Sequence, residues 1–152
     1  MATSTASETR HVLKELVETC KDGQEGFRLA ASAVKDVDLR SELQEYSMQR
    51  TEFARELTEA LDALGSEAPE SGSVAGGLHH AWMNLKSAVT SRDPHAILAD
   101  CERGEDSAVE AYRNALQAGL PVSIYPIVER QSEAIQRVHD RIKELRDATA
   151  KD

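Results

Sequence analysis

The chain has 152 residues, a formal net charge of −9, 40% hydrophobic residues and two cysteines. That length lets one domain bury a core without metals or disulfide staples. Acidic charge spread through the chain excludes a surface built to neutralise phosphates, so neither nucleic acid nor a membrane is an expected partner. Two distant cysteines exclude a disulfide framework and fit a reducing compartment.

Residues 1–7 are small and polar with nothing to bury, and are expected to form a disordered end. The opening "MATSTASETR" lacks the basic start and apolar stretch of a secretory leader. No apolar run approaches the ~18 residues of a membrane span, so a cytoplasmic protein is expected. Leu13, Leu16, Cys20, Gly23, Phe27, Ala30 and Val34 then recur at steps of three and four, which predicts a helix over 8–34 with one buried stripe. Leu39, Leu43, Tyr46, Arg50, Phe53, Leu57, Ala60 and Leu64 repeat the stepping over 38–64, ending at Gly65. The connection "KDVD" is short, so these two helices are expected to be antiparallel neighbours.

"GSEAPESGSVAGG" reads as a loop, and Leu78, Trp82, Leu85 and Val89 mark a shorter helix over 74–90. Asp93 and Pro94 form a start signal for a helix over 94–118, whose stripe carries Ile97, Cys101, Glu105, Ala108, Tyr112 and Ala115. A last helix over 122–148 turns Val128, Gln131, Ile135, Val138, Ile142 and Leu145 inward, with Pro126 in or near its first turn. Residues 149–152 are expected to fray. Four long helices without a credible strand predict an all-α four-helix bundle, with 8–148 as a single domain. A crossover helix of about 17 residues covers about 25 Å, enough to carry the chain from one bundle end to the other. That favours the up-down-down-up order of ferritin-like bundles.

The stretches "DGQEGF", "WMNLKSAV", "ILADCERGEDSAVEAYRNAL" and "VHDRIKELRD" resemble a bacterial ferritin-like family described as a domain of unknown function, over most of residues 8–148. The resemblance implies the fold and, by family analogy, a stress-associated role; it brings no catalytic residue, substrate or cofactor.

Ferritin-like bundles often hold two irons with a Glu from each of two helices and a Glu-x-x-His from each of the others. Here the only Glu-x-x-His is Glu8 to His11, at the start of the first helix. Its mid-bundle positions are Cys20, Gly23 and Phe27, and Glu25 falls outside the stripe. The second helix offers Tyr46 and Arg50 with Glu45 and Gln49 flanking, the third Glu105, and the last Gln131 with His139 to one side. One inward carboxylate does not make a di-iron site. Arg50 and Glu105 fall at nearly equal heights if their helices run parallel, so the reading taken is an internal ion pair. Glu105 as a metal ligand, supplemented by Glu45, Gln131 or His139, is the alternative, and a solvated Glu105 a third.

Tyr46, Tyr112 and Gln131 are expected to join Arg50 and Glu105 in a polar core layer. Glu102, Asp106 and Glu110 read as solvated surface. Cys20 and Cys101 read as buried, unreactive thiols at different heights, unable to form a disulfide. His79, His80 and His95 lack a spacing for chelation, and "SGSVAGG" lacks the residues of a phosphate loop. Trp82 either anchors the crossover helix or contributes to a homodimer surface. The function expected is that of a non-catalytic structural or interaction protein without a cofactor. A metal-binding oxidoreductase with a degenerate carboxylate site is one alternative; a binder of a small ligand in the interior, in space left by Gly23, is another.

Overall fold

The computed structural model describes residues 5–65, 82 and 84–149, all of whose regular structure is helical. Five helices occur among them: α1 (Ala6–Ala33), α2 (Val37–Ala63), α3 (Leu85–Ser91), α4 (Pro94–Leu116) and α5 (Tyr125–Thr149). None is long and apolar enough to cross a membrane.

Local chemistry sets the ends. Helix α1 starts two residues earlier than its apolar stepping suggests, because Thr5 and Glu8 form a capping box: the Thr5 hydroxyl accepts from the Glu8 amide at 3.1 Å and the Thr5 amide donates to Glu8 at 2.9 Å. Asp36 caps α2 by accepting from the Leu39 amide, and Asp93 caps α4 by accepting from the His95 amide, with Pro94 next to it. Helix α2 stops at Ala63, and Gly65 follows in the left-handed conformation that lacks a steric penalty for glycine. Helix α5 begins at Tyr125 rather than 122, which leaves Pro126 as its second residue, where its missing N–H breaks no bond. Of the expected helix over 74–90, residues 74–81 and 83 lie outside the described residues, and α3 is its C-terminal part. Residues 1–4 and 150–152 of the expected ends also lie outside.

Packing follows the apolar stripes. Helix α1 lies against α2, α3 and α4, and α5 lies against α4 and, less extensively, α2. The α1–α2 contacts include Phe27 with Tyr46, and Gly23 with Arg50, so position falls along one helix as it rises along the other. The same holds for α4 and α5, where Tyr112 meets Gln131 and Glu102 meets Arg146. Two apolar clusters result. One gathers Leu13, Leu16, Cys20, Phe53, Leu57, Ala108, Tyr112 and Ile135; the other gathers Phe27, Leu43, Trp82, Ile97, Cys101, Val138 and Ile142. Between them, on α2 and α4 respectively, stand Arg50 and Glu105.

Candidate functional site

The site between the two clusters is built on four helices. Arg50 is 1% exposed and Glu105 0%. Arg50 Nη1 donates to Glu105 Oε1 at 2.5 Å and Nη2 donates to Oε2 at 2.6 Å, a fork-to-fork arrangement that satisfies both carboxylate oxygens at once. Arg50 Nε donates to Gln49 Oε1 at 3.2 Å, and the guanidinium carbon lies 5.3 Å from the centre of the Phe27 ring. Gly23 makes room for it: a Cβ there would stand 3.0 Å from Arg50 Nη1 and 3.3 Å from its Cγ. The space left by Gly23 is therefore filled by arginine. A concavity of about 630 Å³ opens at the surface between Val34, Leu39, Leu98 and Leu145. Burial opposes the Arg50 charge, but Glu105 outweighs it and holds the guanidinium protonated.

A second buried chain runs alongside. Cys20 Sγ is 3.1 Å from the Tyr112 hydroxyl, which donates to Gln131 Oε1 at 2.7 Å. Gln131 Nε2 donates to the Phe53 carbonyl at 3.3 Å and to Glu56 at 3.1 Å, and Glu56 accepts from Arg130 at 2.5 Å at the surface. Burial pushes the Cys20 thiol up to about 11, and pushes Cys101 and Tyr112 well above their ordinary values. Both cysteines are free and protonated at neutral pH, so neither is an activated nucleophile. Every buried side-chain nitrogen and oxygen among the described residues has a partner.

Tyr46 does not join this layer. It is half-buried, its ring packs edge-on against Phe27, and its hydroxyl donates to Glu42, which also pairs with Arg141 of α5. Burial and the adjacent Glu42 carboxylate raise its pKa. Position 46 lies at the edge of the α2 stripe, near enough to solvent to find a surface carboxylate.

Trp82 faces the interior of its own chain, a position described by the first of its two readings, anchor of the crossover segment, and not by the second, a dimer surface. It is 3% exposed within its own chain. Its ring stands between Gly26 of α1 and Gly104 of α4: a Cβ would lie 2.3 Å from the ring at Gly26 and 2.1 Å from it at Gly104. Phe27 packs on it edge-to-face at 5.2 Å. His79 and His80 lie outside the described residues.

The alternative ligand set is not brought together. Glu105 is taken up by Arg50, Glu45 is exposed on α2, and His139 lies on the α4–α5 flank. Residues read as solvated meet it there instead. Asp106 Oδ1 lies at hydrogen-bond distance, 2.6 Å, from His139 Nε2, and Glu102, with its side chain 12% exposed, pairs with Arg146. Glu110 is exposed. Partial burial opposes a charge on His139, but its hydrogen bonds to the Asp140 and Asp106 carboxylates outweigh it and raise its pKa. The signal for this flank was the four-residue spacing of Glu102 and Asp106, which puts both beside the inward stripe rather than opposite it.

A comparison with curated proteins finds no match. Residues 8–118, which include Arg50, Glu105 and both glycines around Trp82, match the model of one family. The chain belongs to that family, whose description is Domain of unknown function (DUF2383).

Proposed function

We propose that residues 8–148 form one ferritin-like, up-down-down-up domain of a cytoplasmic protein that acts as a non-catalytic structural or interaction partner. Two sets of contacts and one short connection support the topology. Helices α1 and α4 approach with opposite directions, since Cys20 meets Tyr112 while Gly26 and Gly104 share one ring. Helices α2 and α5 do the same through Phe53 with Gln131 and Glu42 with Arg141. The short α1–α2 connection then leaves α2 and α4 parallel.

The observation that carries the functional reading is the paired guanidinium and carboxylate of Arg50 and Glu105 at mid-bundle. A fixed cation placed against the fully buried Glu105 carboxylate repels the ions that a dinuclear iron centre needs, and it already occupies both carboxylate oxygens. The adjacent thiol and phenol are held protonated, which suits packing rather than proton or electron transfer. Association as a homodimer belongs to the same reading, through a surface other than Trp82.

Anaerobic loading of the full chain with ferrous iron, desalting and elemental analysis tests it, with Glu105→Gln measured beside the parent. Iron retention independent of Glu105, with no absorbance change on admitting oxygen, is expected. About two irons per chain, lost in Glu105→Gln, would replace the structural reading with an oxidoreductase. Sedimentation velocity on the same samples gives the number of chains per particle, and a single chain at all concentrations would remove the homodimer.

A further inference from the structure

The flank where α4 meets α5 carries a different arrangement. Glu102, Asp106 and His139 each offer one ligand atom, and these atoms all lie within 4.8 Å of one another. Two of the three come from adjacent turns of α4 and the third from α5, so the convergence is a product of helix packing and not of a local turn. Asp106 is 63% exposed, whereas the His139 side chain is 17% exposed and that of Glu102 12%, so the group is open to water on one side and walled on the other.

The imidazole is also oriented from behind. Asp140 Oδ1 lies 3.2 Å from His139 Nδ1 and is itself held by Gln136 Nε2 at 3.0 Å. With Nδ1 engaged by a carboxylate, Nε2 is the nitrogen presented to Asp106 and Glu102. Metal-bound histidines carry this same outer carboxylate, which fixes the tautomer and increases the basicity of the ligating nitrogen.

We propose that Glu102, Asp106 and His139 bind one divalent first-row transition ion of the zinc type, with water completing its coordination. One imidazole nitrogen with two carboxylate oxygens suits such an ion better than magnesium or calcium, which favour all-oxygen shells. Bonds of ~2.0 Å in a tetrahedron set ligand atoms ~3.3 Å apart, a closing movement that the exposed Asp106 side chain is freest to make. Arg146, paired to Glu102, competes for the site: the ion must displace a guanidinium from one carboxylate. The proposal goes beyond the structural reading of the bundle interior, because it uses none of Arg50, Glu105 or Tyr112.

The competition supplies a test that a purely structural role would not pass. Zinc alone is titrated into metal-free full chain by calorimetry, and cobalt by visible absorption, with thermal unfolding of each metal-free variant as the control for folding. One ion per chain is expected. Asp106→Asn and His139→Gln should each weaken binding about tenfold or more, on the scale by which even outer partners of metal sites alter affinity. Arg146→Gln should tighten it, since it frees Glu102, and Gln136→Leu should weaken it by less than loss of a ligand. Absence of binding up to millimolar zinc would overturn the proposal. So would binding insensitive to Asp106→Asn and His139→Gln, or binding abolished only when His79 and His80 are replaced, which would place the ion elsewhere.

Discussion

Replacing Arg50 with methionine would strand the fully buried Glu105 carboxylate without the guanidinium that meets both of its oxygens. The cost of leaving one buried charge unpaired is about 3–5 kcal/mol, and Arg50→Met should lower the urea midpoint accordingly. Arg50→Met combined with Glu105→Leu should recover much of that loss, because hydrocarbon then replaces both charges. A midpoint unchanged in the single variant would contradict burial of the pair. Trp82 gives a second test. In Gly104→Ala the new carbon would lie 2.1 Å from the ring, closer than any real contact, so the ring must leave. As the chain's only tryptophan it reports directly: emission should shift to the red, and the unfolding midpoint should fall toward the ~3–5 kcal/mol associated with losing a buried aromatic. Unshifted emission would mean that the ring does not lie between the two glycines. Both charged residues sit on the inward stripe, so their burial follows from steps of three and four. Glu102 and Asp106 were harder to place. A helix in a bundle has two flanks as well as an inward face, and only the neighbour's position decides whether a flanking carboxylate meets water or a partner such as His139.

Helices α2 and α5 touch less extensively than α1 with α2 or α4 with α5, and two ion pairs bridge them: Glu42 with Arg141 and Glu56 with Arg130. Burial alone would raise both carboxyl pKa values, but the arginines, with Tyr46 and Gln131, outweigh it and hold them below the ordinary value. A carboxyl group depressed in the folded state contributes stability above its unfolded pKa and loses it as pH falls through the folded value. The partners are 22% and 24% exposed on the glutamate side, so screening limits the two pairs together to on the order of 1 kcal/mol. The double variant Arg130→Gln/Arg141→Gln should therefore be less stable than the parent near neutrality, and the difference should close as pH drops below about 4. A gap that persists in acid would assign it to lost packing of the arginine stems. At this scale the extents of α1, α2, α4 and α5 were legible within a few residues. The differences came from short-range chemistry: the capping box at Thr5 and Glu8 extends α1, and Pro126 delays α5. The crossover was read from four apolar residues, of which Trp82, Leu85 and Val89 lie among the described residues.

Across the whole molecule, the two apolar clusters each draw on α1, α2, α4 and α5, and neither is continuous through the plane of Arg50 and Glu105. The sequence showed the polar positions on the stripes, but not that they would divide the interior, since that depends on their lying at one height in the assembled bundle. Hydrogen exchange should reveal the division. Amides near Leu16 and Leu57 and amides near Leu43 and Ile97 should exchange with one common free energy in the parent, and with two in Arg50→Met, where the tie between the halves is cut. One shared value in both proteins would show that packing alone couples them.

The fork between Arg50 and Glu105 also acts as a locating pin. Leucine and alanine stripes can slide past one another by a helical turn and still find hydrocarbon, so apolar packing fixes the distance between α2 and α4 better than their axial alignment. A slide of one turn, about 5.4 Å, would carry the guanidinium clear of its carboxylate and leave both charges buried against apolar side chains. The two helices thus have one alignment at which the interior is neutral, and every neighbouring alignment is excluded by charge rather than by shape.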